Sequence, residues 1–328
     1  MTDPSDSSVK TMPTAEQIRA RLDPDIRAAL EVAPFPPISA ETLEAVRIGR
    51  YSQVDIEGLS TSVTRTSVSV PGPEGSPEVS LRIHRPADAT GLLPCLVWMH
   101  GGGLVMGNSF QDDMRFDRWC VRHNIMAVSI EYRLAPETPY PGPLEDCYAG
   151  LRWIHERAAE LEIDPTMIGI GGASAGAGLA AGLSLLCRDR GGPAISSQLL
   201  IYPMLDDRMI TPSSAWEVPI WSPASNHFGW TSYLGDRKGG ADVPIYAAAA
   251  RATDVRDLPC TLIVVGTLDG FVDEDLAYAQ ALNQSGVDVE LHMYPGAPHG
   301  FDALLPGTDV ARRCSADMNA WLARQYKR

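Results

Sequence analysis

The sequence predicts an α/β fold, a mostly parallel sheet with helices on both faces. Three observations carry that expectation. Apolar, strand-like segments alternate with helix-period segments from about residue 79 to the end of the chain. Most of these strands are more uniformly apolar than a strand with one exposed face, as strands covered on both faces are. A Gly-x-Ser-x-Gly run, Gly172-Ala173-Ser174-Ala175-Gly176, joins one such strand to one such helix.

Taken in order, residues 1–12 read as disordered. Thr14-Ala15-Glu16-Gln17 is a capping-box pattern that opens a short helix carrying Ile18 and Leu22. Asp23 then caps a second helix, with Pro24 at its first position and Ile26 and Leu30 inside it. Pro34-Phe35-Pro36-Pro37 ends that helix, and Glu41–Arg50 offers a third. These helices are only weakly apolar and need a neighbour to be stable.

From about residue 62 the pattern changes. Val79, Leu81 and Ile83 alternate with Ser80, Arg82 and His84, the mark of a half-exposed strand. More uniformly apolar strands are expected over 92–99, 125–130, 167–171, 198–202, 261–265 and 287–294. Helices are expected over Asp113–His123, Leu144–Glu160, Ala175–Cys187, Glu274–Asn283 and Thr308–Arg324. In the last, Val310, Cys314, Met318 and Trp321 share one face.

One stretch interrupts the alternation. Between Pro203 and about Val243, Trp216, Trp221, Phe228, Trp230 and Tyr233 are spaced by Pro and Ser without either period. Aromatics make up only 7% of the chain, so this is a local enrichment. An insertion over the carboxyl edge of the sheet would put Trp216, Trp221, Phe228 and Trp230 around a substrate pocket. The alternative is that these rings form the insertion's own small core. The organisation that results is an N-terminal cap segment (1–50), the first part of the core (51–204), a cap insertion (205–245) and the second part of the core (246–328).

A chain of 328 residues suits either two average domains or one large α/β domain with an insertion. Its net charge of -14 argues against nucleic acid or an anionic membrane as partner. The lysines are confined to Lys10, Lys238 and Lys327, a bias with no functional account. Cys95, Cys120, Cys147, Cys187, Cys260 and Cys314 are far apart and form no CxxC pair. They read as free thiols in a reduced compartment, without a zinc site. Met1-Thr2-Asp3-Pro4-Ser5-Asp6 lacks the basic and apolar regions of a signal peptide, and no apolar run approaches the roughly 20 residues that span a bilayer. The expected location is cytoplasmic.

Gly-x-Ser-x-Gly alone is a weak signal, and its context strengthens it. Met167–Gly171 can be a buried strand, and Ala175–Cys187 carries an apolar stripe of Leu179, Leu183 and Leu186. Ser174 therefore falls on a sharp strand-to-helix turn, its hydroxyl at a helix N-terminus where developing negative charge is favoured. Helix and strand would crowd any Cβ at 172 or 176. Upstream, His100-Gly101-Gly102-Gly103 follows an apolar run, and its glycines can turn N–H groups inward. The N–H groups of Gly102, Gly103 and Ala175 are the expected oxyanion hole. No lysine follows these glycines, as a nucleotide-binding loop would require. His100 is expected to order the loop, with a role as base the alternative.

A general base should sit in a loop after a late strand, and His299 does, following Pro295-Gly296-Ala297-Pro298. His84 and His292 lie within strands, His123 and His155 on helices and His227 in the insertion, all worse placed. The acid should lie just past a strand end. Asp269 fits, with Asp273 the alternative, either as acid or as a cap or brace of the acid loop. Glu274 is expected to begin the next helix.

The order Ser174, Asp269, His299 is that of α/β-hydrolases rather than of other serine hydrolases. Four segments resemble the hormone-sensitive lipase family of that fold, particularly its microbial esterases. They are HGGG at 100–103, Tyr132-Arg133-Leu134-Ala135-Pro136-Glu137, GASAG at 172–176 and His299-Gly300-Phe301. The YRLAPE run, followed by Pro141 and Leu144-Glu145-Asp146, is highly specific to that family and reads as structural. The resemblance covers about residues 62–325, while 1–50 match only by position. Two departures stand out: Ala173 where Asp or Thr is usual before the nucleophile, and Gly270 where proline is common. The resemblance implies a serine carboxylesterase for short- to medium-chain acyl esters, needing no metal or organic cofactor. A homodimer is possible on that resemblance alone. Two rival readings use the same scaffold: a hydrolase of amides, formamides or acetylated small molecules, and an inactive small-molecule receptor. Since Ser174, Asp269 and His299 are all present, the receptor is the weaker rival.

Overall fold

The computed structural model describes residues 12–32, 35–51 and 58–327. The reading of 1–12 as disordered therefore falls outside the described residues except for Met12, and so does Pro34 of the proline run.

Eight strands form one sheet: β1 (Val63–Val70), β2 (Val79–Pro86), β3 (Leu93–Met99), β4 (Met126–Glu131), β5 (Ile163–Ala173), β6 (Ser197–Ile201), β7 (Cys260–Leu268) and β8 (Val289–Pro298). Their spatial order is β1-β2-β4-β3-β5-β6-β7-β8. β2 is antiparallel to both β1 and β4, and every other pairing is parallel. The apolar runs are the interior strands: all seven residues of β3 and all five of β6 are buried. β1, an edge strand, was not anticipated.

Ten helices accompany the sheet among the described residues. They are α1 (Ala15–Arg21), α2 (Pro24–Val32), α3 (Leu43–Tyr51), α4 (Asp113–His123), α5 (Gly142–Glu156), α6 (Ala175–Arg190), α7 (Pro223–Leu234), α8 (Val272–Gln284), α9 (Phe301–Leu304) and α10 (Asp309–Gln325). Period-two alternation sends neighbouring residues of β3 to opposite faces. Cys95, Val97 and Met99 join the apolar layer built by α5, α6 and α8, while Leu96 and Trp98 join that of α4 and α10. The sheet is thus covered on both sides, as predicted.

The N-terminal helices lean on the rest of the protein. Thr14 and Gln17 form the expected reciprocal cap, and the Asp23 carboxylate accepts from the N–H groups of Asp25 and Ile26. Ile18, Leu22 and Ile26 bury their side chains in the α4/α10 layer, and Asp23 N–H donates to the Gly296 carbonyl just before His299. Further on, Ile38 N–H donates to Ser225 Oγ of α7, which ties this segment to the insertion. Of the six cysteines, all are unpaired thiols; five are buried and Cys260 is half-buried. Among the described residues, no helix is long and apolar enough to cross a membrane.

Candidate active site

β5 runs into α6 through Ser174, whose backbone adopts φ 56°, ψ -120°. A non-glycine residue reaches that region only when its surroundings hold it there. They do: Ser174 N–H donates to the Ile201 carbonyl at 2.8 Å, and its carbonyl accepts from Gly178 and Met204. The flanking glycines are required by close approach. A Cβ at Gly172 would lie 2.3 Å from the Gly176 carbonyl carbon, and one at Gly176 would lie 2.1 Å from the Met99 carbonyl oxygen.

The turn delivers the Ser174 hydroxyl to His299. Nε2 of the imidazole stands 2.8 Å from Ser174 Oγ, and Nδ1 stands 2.7 Å from Asp269 Oδ2. Asp269 is held by its other oxygen, which accepts from Phe271 N–H at 3.0 Å. With only 1% exposure the carboxylate is shut off from water, whereas Ser174 and His299 keep 6% and 5%. Three rings fix the imidazole plane. Tyr202 and Phe271 meet it edge-on at 4.6 and 5.1 Å, and Trp221 lies 6.3 Å away. Chemically, the chain Asp269–His299–Ser174 can take the hydroxyl proton and stabilise the imidazolium that results.

Facing the hydroxyl is the glycine loop after β3. Gly102 and Gly103 take φ values of 130° and 62°, open to glycine at little cost. Among the described residues, the N–H groups of Gly102, Gly103 and Ala175 donate to no carbonyl, so they are available to an oxyanion. His100 is fully buried, stacks on Tyr132 at 4.1 Å and has Nδ1 2.9 Å from the Gly101 carbonyl. Burial lowers its pKa, which favours a neutral ring donating from Nδ1. It orders the loop, and no contact links it to Ser174.

The YRLAPE run is structural. Tyr132 Oη donates to the His100 carbonyl at 2.6 Å, and Ala135 N–H donates to the Leu104 carbonyl, so the run clamps the glycine loop at both ends. Arg133 forks onto Asp146 at 2.8 and 2.7 Å, and Glu137 pairs with Arg47 of α3. Asp273 braces the acid loop: its Oδ2 accepts from Ser213 N–H, and Ser213 Oγ accepts in return from Asp273 N–H.

The aromatic insertion divides. Trp221 roofs the glycine loop, because a Cβ at Gly103 would lie 2.1 Å from its ring. Trp216 joins Trp221, Phe271 and Gly270 around a narrow cleft. Phe228 packs half-buried on the apolar layer, and Trp230 is buried beside Tyr233.

Sequence reasoning missed Glu274. It does not begin α8, which starts at Val272, and it is buried with Oε1 accepting from the N–H groups of Leu205 and Asp206. It therefore fastens the acid loop to the segment after β6. An apolar stripe flanking an acid gives no sign of such a bond.

A family described as the alpha/beta hydrolase fold matches residues 96–303. Carboxylesterase NlhH of Mycobacterium tuberculosis is 32% identical over 289 residues, covering 86% of this chain and 89% of NlhH. Among solved structures, a bacterial heroin esterase superposes with TM-score 0.90 and 38% identity over 94% of this chain and 99% of its own. Esterase LipW from Mycobacterium marinum does so with TM-score 0.86 and 34% identity, over 97% and 99%. The chain belongs to the alpha/beta hydrolase family, in the hormone-sensitive lipase type that its motifs resemble.

Proposed function

We propose that this protein is a serine carboxylesterase acting on short- to medium-chain acyl esters. The observation that carries this reading is the relay from Ser174 Oγ to His299 Nε2 and from His299 Nδ1 to Asp269, at 2.8 and 2.7 Å, beside three N–H groups that donate to no carbonyl among the described residues. Relatives named carboxylesterase and esterase support it.

His299 takes the Ser174 proton as the hydroxyl oxygen attacks the ester carbonyl. The carbonyl oxygen becomes an oxyanion held by the N–H groups of Gly102, Gly103 and Ala175, the last at the N-terminus of the 16-residue α6. Collapse breaks the bond to the alcohol, which leaves with the proton from His299. Water then gives a proton to His299 as it attacks the acyl-serine; the acyl–Oγ bond breaks, the proton passes from His299 back to Ser174 Oγ, and the carboxylic acid is released. Asp269 holds the imidazole in the tautomer with the proton on Nδ1. No step calls for a metal or an organic cofactor.

Residues 1–50 and 205–245 act together as a cap over this site, a reading supported by the Ile38–Ser225 hydrogen bond. Trp221, seated over Gly103, limits the room on the acyl side, which favours small acyl groups. Labelling with a p-nitrophenyl phosphonate followed by peptide mass spectrometry tests the nucleophile. One adduct on the peptide carrying Ser174 is expected. An unlabelled Ser174 in folded protein would overturn the proposal.

A further inference from the structure

A second cavity of about 620 Å³ lies away from Ser174, between α4, α10 and the segment after His299. Arg115, Arg118 and Arg122 line it from α4, where spacings of three and four residues put them on one helix face. Arg312 joins them from α10, and Asp112 and Asp302 complete the charged lining. Four guanidinium groups against two carboxylates make this a basic cavity in a protein of net charge -14. Arg118 and Arg122 are exposed and have no acidic partner within ion-pair distance among the described residues. Arg312 is committed to Asp309.

The floor is built rather than incidental. Arg115 is buried, 5.7 and 5.4 Å from the rings of Trp98 and Trp119. Its Nε meets Asp112 and one Nη meets Asp302, each at 3.1 Å, and its other Nη is left without a partner among the described residues. Asp112 is fixed in turn by Trp98 Nε1 at 2.9 Å. The second oxygen of Asp302 accepts from Tyr202 Oη at 2.7 Å, and the Tyr202 ring is the one set edge-on against His299. Arg115 thus faces the cavity while holding the carboxylate that holds Tyr202.

We infer that this cavity binds a small oxyanion, a phosphate or a carboxylate, on Arg115, Arg118 and Arg122, and that its occupancy is felt at His299 through Asp302 and Tyr202. Guanidinium groups match both oxyanions in geometry and charge. An oxyanion on the free Nη of Arg115 competes with Asp302 for the same guanidinium, which alters the support of the Tyr202 ring. In this role Tyr202 and Asp302 are positioning residues for the histidine.

The test is calorimetric titration of the full chain with inorganic phosphate and, separately, with succinate, at ionic strength held constant with sodium chloride. Saturable binding is expected for the wild type, weakened about tenfold or more in the surface double variant Arg118→Gln/Arg122→Gln. Whichever anion binds more tightly identifies the class. No saturable binding of either anion, or equal affinity in a double variant with a native circular dichroism spectrum, would overturn the site. If that variant fails to fold, Arg122→Gln alone serves, with a smaller loss expected. Saturation by the tighter anion should also change kcat for an acetyl ester about two- to fivefold with little change in KM. Competitive inhibition alone would place the anion at Ser174 and overturn the link to His299.

Discussion

The indole of Trp221 lies across the backbone of Gly103, so close that a Cβ at position 103 would sit 2.1 Å from Cη2 of the ring. The same ring is 6.3 Å from the imidazole of His299. One side chain from the insertion therefore closes the space above the expected oxyanion hole. Trp221→Ala should open that space, raising kcat/KM for an octanoate ester relative to acetate by about tenfold or more. A chain-length profile unchanged in this variant would show that acyl selection lies elsewhere.

Removing the relay should cost rate while leaving binding largely intact. His299→Ala is expected to lower kcat by roughly 10⁴–10⁶ with KM changed little, and Asp269→Asn by roughly 10⁴. Near-wild-type kcat in a folded His299→Ala variant would contradict His299 as base.

The elbow glycines make a sharper structural prediction. At Gly172 an added Cβ meets backbone of Gly176 at 2.3 Å, which no side-chain rotation relieves. Gly172→Ala should therefore destabilise the fold by about 3 kcal/mol or more and abolish activity, measured by urea unfolding and ester hydrolysis together. Native stability and full activity in that variant would mean that the β5–α6 turn is wrongly described.

Glu274 gives a pH signature in stability. Burial, with lesser contributions from Asp206 and Asp269, raises its pKa well above the ordinary value, and the Leu205 and Asp206 N–H bonds oppose this only in part. The native state therefore keeps a proton that the unfolded chain releases. The stabilising share is complete below the unfolded carboxyl value of about 4.3 and is lost as pH rises toward the folded one. Glu274→Gln keeps an acceptor for both N–H groups and has no charge to bury. Wild type should lose ground to the variant with rising pH, by up to about 1.4 kcal/mol per pH unit. Parallel urea stabilities at pH 5 and 8 would refute this.

Much of this architecture was legible because its signals are local. A uniform apolar run marks β3, a capping box opens α1, and the Gly-x-Ser-x-Gly turn appears between a strand and a helix. What escaped depends on partners distant in sequence. β1 has exposed or half-exposed residues at six of its eight positions, so its polar run gave no strand signal; pairing with β2 fixes it. The charges of α4 carry no local sign of their partners. Yet Asp113 is buried against Arg82 and His84 of β2, and Asp117 against Arg65 of β1. Trp221 and Trp230 are indistinguishable by composition, and only the packing of α7 on the glycine loop brings one to His299 and leaves the other beside Tyr233.

The most direct test is hydrolysis of p-nitrophenyl esters from acetate to palmitate by wild type and Ser174→Ala side by side. Activity that peaks at short to medium chains and falls by roughly 10⁴ or more in the variant is the predicted result. Activity surviving in the variant, or a folded wild type that cleaves none of these esters, would contradict it.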